Sequence, residues 1–251
     1  MSQPKQQHAP GTPSPGTTSS GTLSASIHLH PTAALAERVL LPDDPGCALA
    51  LAQTLMTEPK MFNHHRGLWG YTGPARIDGA PLTIQSTGIG GPSAAIVLTE
   101  LVSLGARRAV RVGTCAALDP GLALGEILIA RESICLDGTS RALGASERVA
   151  ADAGLTQALM RHLPEARGGA VVSVDLFYDP GRRPETGDGL ALEMESATLF
   201  ALGAACGTSV ASVLAVSDTF DARGERARIE QHSLLAAAER MGAAAVAALA
   251  V

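Results

Sequence analysis

Residues 80–115 read APLTIQSTGIGGPSAAIVLTELVSLGARRAVRVGTC. The run 80–88 is β-rich and closes on a cluster of glycines. An Ala- and Leu-rich helical pattern follows at 92–104, and a second apolar strand candidate at 108–115. Strand, glycine loop, helix and strand within 36 residues is the unit of a helix-covered sheet. Working outward, strand candidates stand at 37–42, 125–130, 169–177 and 212–218, with helical patterns at 46–57, 146–163, 195–206 and 226–249. The expected fold is α/β: a single domain whose mixed, largely parallel central sheet is flanked by helices. No internal repeat or second domain interrupts it.

Composition narrows the partners. With 251 residues, 46% of them hydrophobic, the chain can bury a sizeable core. A net charge of −5 offers no basic face for nucleic acid and no polybasic membrane signal. The apolar C-terminal run carries Glu239 and Arg240, which suits a core helix rather than a membrane span. Cys47, Cys115, Cys135 and Cys206 show no metal or disulfide spacing and read as buried, reduced thiols. Residues 1–25, rich in Pro, Gly, Ser and Thr, are expected to form a disordered tail, leaving 26–251 as the domain. No apolar leader precedes it, so a cytoplasmic protein is expected.

In such sheets ligands sit beyond the carboxyl ends of the strands. Four stretches there are chemically suggestive: STGIGGPS (86–93), VGTC (112–115), VDLFYDP (174–180) and VSDTFD (216–221). The glycines permit close backbone approach to a ligand, or simply turn the chain. Arg111, inside an apolar strand, must find either a core carboxylate or a bound oxyanion. Phe177 and Tyr178 are either core or a stacking wall. Asp218 is either a turn former or an acid at the crevice. LEMESATLF (192–200) raises a further question, since Glu193 and Glu195 are the only charged side chains between Asp188 and Asp218.

Together these motifs resemble the nucleoside phosphorylase superfamily, which includes uridine phosphorylase and the hexameric purine nucleoside phosphorylases. The similarity runs from about Ile27 onward. It implies that Glu195 grips the ribose hydroxyls with Met194 lining the sugar, while Glu193 is structural. It assigns Arg111, Thr114, Gly88 and Arg66 to phosphate, Arg66 being donated to a neighbouring subunit. His28 would reach a neighbour's ribose, and Phe177, Tyr178 and Asp218 would face the base. Asp218, Glu195 and Arg111 are then the catalytic set, with Asp218 protonating the leaving base. Implied partners are a nucleoside and inorganic phosphate as co-substrate, with no cofactor and no metal. The implied assembly is a homo-oligomer of dimers with shared sites, extending to a hexamer. YDPGRRPETGDG lacks the Gln expected for uracil, and VSD is similar to purine-cleaving members, so a purine nucleoside is favoured.

One departure stands out. The family's PGDPxR phosphate loop reads PDDPGC here, with Asp43 replacing Gly and Cys47 replacing Arg. Both changes disfavour an anion. A phosphorylase, a nucleosidase in which Asp43 orients water, and a non-catalytic nucleoside binder therefore all remain open on sequence.

Overall fold

Residues 26–178, 186–221 and 223–250 are described by the computed structural model. The expected tail at 1–25, and residues 179–185 of the loop read for base specificity, lie outside them.

The strands are β1 (Arg38–Leu41), β2 (Lys60–Asn63), β3 (Gly70–Pro74), β4 (Pro81–Gln85), β5 (Arg108–Ala117), β6 (Ile127–Cys135), β7 (Arg148–Ala150), β8 (Arg167–Ser173), β9 (Ala191–Glu193), β10 (Ser209–Phe220) and β11 (Arg226–Arg228). The helices are α1 (Pro45–Leu55), α2 (Gly91–Leu104), α3 (Gly138–Ala142), α4 (Ala153–His162), α5 (Ser196–Cys206) and α6 (Gln231–Leu249). They build the expected mixed α/β domain around one sheet.

The βαβ unit forms as read: β4 and β5 flank β1 in parallel, with α2 as the crossover. Beyond β5 the sheet closes on itself. β5 pairs in parallel with β10, β10 antiparallel with β6, β6 in parallel with β8, β8 in parallel with β9, and β9 antiparallel with the end of β5. Strand alternation supplies two cores. Leu40, Ile84, Val110 and Val112 pack towards α1, α4 and α6, whereas Val39, Leu41, Ala109 and Leu214 pack towards α2 and α5. Apolar strands covered on both faces explain why the sequence runs are continuous rather than alternating.

The differences from expectation are local. The pattern at 146–163 contains β7, which pairs with β6, and the helix starts only at Ala153, behind the Asp152 cap. The pattern at 226–249 likewise begins with β11, which pairs antiparallel with β10. β5 and β10 run past the expected ends at 115 and 218, to Ala117 and Phe220, so Thr114 and Asp218 lie inside strands rather than at their ends. Among the cysteines, Cys115 and Cys135 are buried, but Cys47 is half-buried and Cys206 exposed. Among the described residues no helix is long and apolar enough to cross a membrane.

Candidate active site

The two glutamates of LEMES divide two tasks between them. Glu193 ends β9 and acts as the cap of α5, a helix whose first N–H groups have no intrahelical partner. Its Oε2 accepts from the Glu195 and Ser196 amides at 3.0 and 2.8 Å and from the Ser196 hydroxyl at 2.8 Å. Its Oε1 accepts from the Ser173 hydroxyl. Glu195, freed from capping, turns to the site: Oε1 accepts from the Gly90 amide and Oε2 meets Arg111 Nη2, each at 2.5 Å.

Arg111 is 1% exposed. It does meet core carboxylates, with Glu193 at 3.4 Å from Nε as well as Glu195. Yet Nε and Nη1 are buried with no hydrogen-bond acceptor, a costly state that an incoming oxygen ligand relieves. Gly113 makes this posture possible. A Cβ there would lie 2.7 Å from Arg111 Cζ and 2.8 Å from Nη2, so the guanidinium folds flat over a residue without a side chain. The signal was in the sequence as R-x-G on one face of a strand, and it was missed.

The glycine loop and the loop after β1 close around this group. Thr87 and Gly88 amides donate to the Pro42 and Asp43 carbonyls at 2.8 and 3.1 Å. Gly88 holds φ 70°, with an ideal Cβ only 2.7 Å from Ser93 Oγ, so it is a tight turn that glycine suits. Leu41, the last residue of β1, is in register with Arg111, and Asp43, two residues on, lies close enough for its charge to act on Arg111 and Glu195. Burial, together with the Glu193 and Asp43 carboxylates, pushes the Glu195 carboxyl up to about 7, despite the opposing pull of Arg111. Three carboxylates share one guanidinium, and protonating one relieves the crowding. Burial and the Asp43 and Asp44 charges push the Cys47 thiol up to about 12, so it stays neutral and offers an anion nothing.

Asp218 is buried in β10 and is no turn former. Burial pushes its carboxyl up, but hydrogen bonds from Arg226 Nε at 2.7 Å and the Ser217 hydroxyl at 2.6 Å outweigh this and leave it below the usual range. The neutral acid expected from the sequence is thus a carboxylate here. Arg226 was missed because it was read as helix, and β11 is what carries it to Asp218. Its guanidinium also sits 4.8 Å from the Phe177 ring centroid. Phe177 and Tyr178 meet edge to face, 50% and 84% exposed, so they are not core.

The remaining sequence-predicted residues are placed as follows. Thr114 is half-buried in β5, three residues beyond Arg111, and Met194 is half-buried between the two glutamates. His28 is held at α2, with Nδ1 2.8 Å from Glu100 Oε1. Arg66 is exposed on a short turn with φ 57°, a left-handed conformation unusual for a residue with a side chain. The turn is bolted by buried Asn63, which binds the His30 amide at 2.9 Å and the Leu68 carbonyl at 2.5 Å. Among the described residues, neither His28 nor Arg66 bonds to Arg111, Glu195 or Asp218 within one chain. A separate cavity of about 540 Å³, between Leu124 and the start of α6, is lined by Arg228, Ser233 and Arg240 and by none of the sequence-predicted site residues.

Comparison with known proteins shows the family of the chain. The family described as "Phosphorylase superfamily" matches residues 37–250. The DeoD-type purine nucleoside phosphorylase of Oceanobacillus iheyensis is 34% identical over 201 residues, 73% of this chain and 83% of the relative. That of Geobacillus kaustophilus is 32% identical over 209 residues, 77% of this chain and 86% of the relative. In structure, a uridine phosphorylase from Vibrio fischeri superposes with a TM-score of 0.73 at 24% identity, covering 86% of this chain and 92% of that one.

Proposed function

The chain belongs to the phosphorylase superfamily as an enzyme of the nucleoside phosphorylase type, a pentosyltransferase, and from that premise we propose that it cleaves a purine nucleoside with phosphate to give free base and ribose 1-phosphate. The observation that carries the reading is the buried Arg111–Glu195 pair, in which two guanidinium nitrogens, Nε and Nη1, keep no hydrogen-bond acceptor. Phosphate oxygens satisfy those donors, with Thr114 and Gly88 at the same end of the sheet. The Glu195 carboxylate binds the ribose hydroxyls and stabilises positive charge as the glycosidic bond breaks. Met194 lines the sugar. The base lies beyond the sugar, between the Phe177–Tyr178 wall and Asp218.

Purine preference is supported by the names of the relatives and by Asp218. As a carboxylate it accepts a hydrogen bond from a protonated ring nitrogen, which holds the leaving group neutral overall. Shared sites are supported by His28 and Arg66, which lie away from Arg111 in one chain. Exposed Ile27, Trp69, Ile89 and Ile96 near them are apolar surface for a second subunit to cover. The retained charged cluster argues against a purely binding role, since burying it without use is costly. The test is kcat/KM for inosine, adenosine and guanosine against uridine, each with saturating phosphate. A purine nucleoside is expected to lead by at least about tenfold, a margin of roughly 1.4 kcal/mol; uridine in the lead would overturn the base assignment.

A further inference from the structure

We infer that Ser173 is a positioning residue for the phosphate end of the site: its hydroxyl holds Glu193 back from Arg111, so that the Nε–H group stays open for an oxygen of the incoming anion. This rests on the phosphate reading of Arg111 above and adds to it the residue that keeps the guanidinium available.

Strand register brings the parts together. Ser173 closes β8 and stands directly opposite Glu193, the last residue of β9. Ser133, on the neighbouring strand β6, is in register with Val171, two residues before Ser173. The two serines therefore share one face of the sheet. Both are fully buried, and a hydroxyl in such a place needs partners.

The hydrogen bonds around Ser173 admit one direction. A hydroxyl has one proton to give and two lone pairs to fill. The Ala197 amide of α5 donates to Ser173 Oγ at 2.8 Å, and Ser133 Oγ lies 2.9 Å from it. The other acceptors within reach of Ser133, the Ile134 and Val171 carbonyls, are each 3.5 Å away, so its proton goes to Ser173. With both lone pairs taken, Ser173 gives its own proton to Glu193 Oε1. Glu193 Oε2 meanwhile accepts from two amides and the Ser196 hydroxyl. Both oxygens act only as acceptors, which is the ionised form of the carboxylate.

Saturating both oxygens of Glu193 has a consequence for Arg111. Glu193 Oε2 stops 3.4 Å from Nε, near enough for charge attraction, yet that nitrogen is buried without a hydrogen-bond acceptor. The shortfall is a few tenths of an ångström beyond an ordinary N–H···O bond. A carboxylate relieved of the Ser173 tether can tilt across it, because pairing a buried, unaccepted donor is favourable. Glu193 would then occupy the donor that phosphate uses. Ser173 acts through Glu193 and does not touch the ligand.

Ser173→Thr and Ser173→Val test this, since their side chains have the same shape and differ in the hydroxyl alone. Any cost of the added methyl is common to both. With the full chain and inosine, adenosine or guanosine, each substrate is varied at saturating levels of the other, which gives a separate KM for phosphate and for nucleoside. Ser173→Val is expected to raise KM for phosphate about tenfold over Ser173→Thr, the scale of one hydrogen-bond donor withdrawn from the anion. The kcat and the KM for nucleoside should stay within about twofold. Loss of packing alone would lower the active fraction of both variants and leave KM where it was. Equal KM for phosphate in the two variants, or an equal rise in both KM values for Ser173→Val, overturns the positioning role and leaves the proposed function standing. Should the larger side chains prevent folding, Ser173→Ala carries the same measurement against the parent, and a parent-like KM for phosphate there overturns the role. No base release by the parent with phosphate overturns the proposed function, and this inference with it.

Discussion

Arg111 owes its posture to the residue two places on. The guanidinium lies over Gly113 at distances no Cβ tolerates, so Gly113→Ala should push it out of register with Glu195. A drop in kcat/KM of tenfold or more is expected, with the melting transition retained; unchanged kinetics would show that Arg111 is not held this way. Glu195 carries a pH signature. Its carboxyl is raised from 4.5 to about 7, chiefly by burial. Folding therefore favours its protonated form: that stability is fully present below about pH 4.5 and is lost as pH rises through about 7. The proposed ribose binding has the opposite sign, because there the carboxylate serves as the acceptor. A kcat/KM profile rising with pH through about 7 is expected, and the limb should move to lower pH in Asp43→Asn, where one crowding charge is gone. A limb that does not move would separate Asp43 from Glu195. Much of this was legible: Arg111, Glu195 and the odd PDDPGC loop stood out as charges where apolar or glycine residues were due. Gly113 did not, since R-x-G on one strand face is a signal only when the arginine is read as folding back over the glycine.

At the scale of elements, the short strands carry what the sequence hid. β7, β9 and β11 are three residues each, too short for period-two alternation to register against an adjoining helical pattern. They exist because longer neighbours present open edges to them, which is tertiary information. β11 matters most, since it brings Arg226 onto Asp218. Removing that partner leaves burial, which pushes the Asp218 carboxyl up, less opposed. Arg226→Gln should therefore shift to higher pH whatever limb of the profile belongs to Asp218, and Phe177 should lose the cation over its ring. A pH profile superimposable on the parent would remove Arg226 from the site. The long elements, by contrast, were readable because α2, α5, β5 and β10 are buried on both sides or along a whole face, and burial is written in composition.

At the scale of the molecule, the fold brings Arg111, Glu195 and Asp218 to one ring of strands but holds His28 against α2 through Glu100 and Arg66 on an exposed, left-handed turn. A non-glycine residue at φ 57° costs about 1–2 kcal/mol, and Asn63 fixes the turn that bears that cost. The placement makes sense when Arg66 serves a neighbouring subunit. Arg66→Ala should raise KM for phosphate with little effect on nucleoside binding, and activity should fall in parallel with dissociation when the protein is diluted and followed by sedimentation. A fully active monomer would refute shared sites.

The most direct measurement is formation of ribose 1-phosphate from inosine and phosphate by the parent protein and by Glu195→Gln. The parent should form base and sugar phosphate together, and Glu195→Gln should lose about 100-fold or more of that rate while keeping its fold, the scale of a lost charged contact in the transition state. Equal turnover by the two proteins would mean that the Arg111–Glu195 pair is a buried ion pair and nothing more.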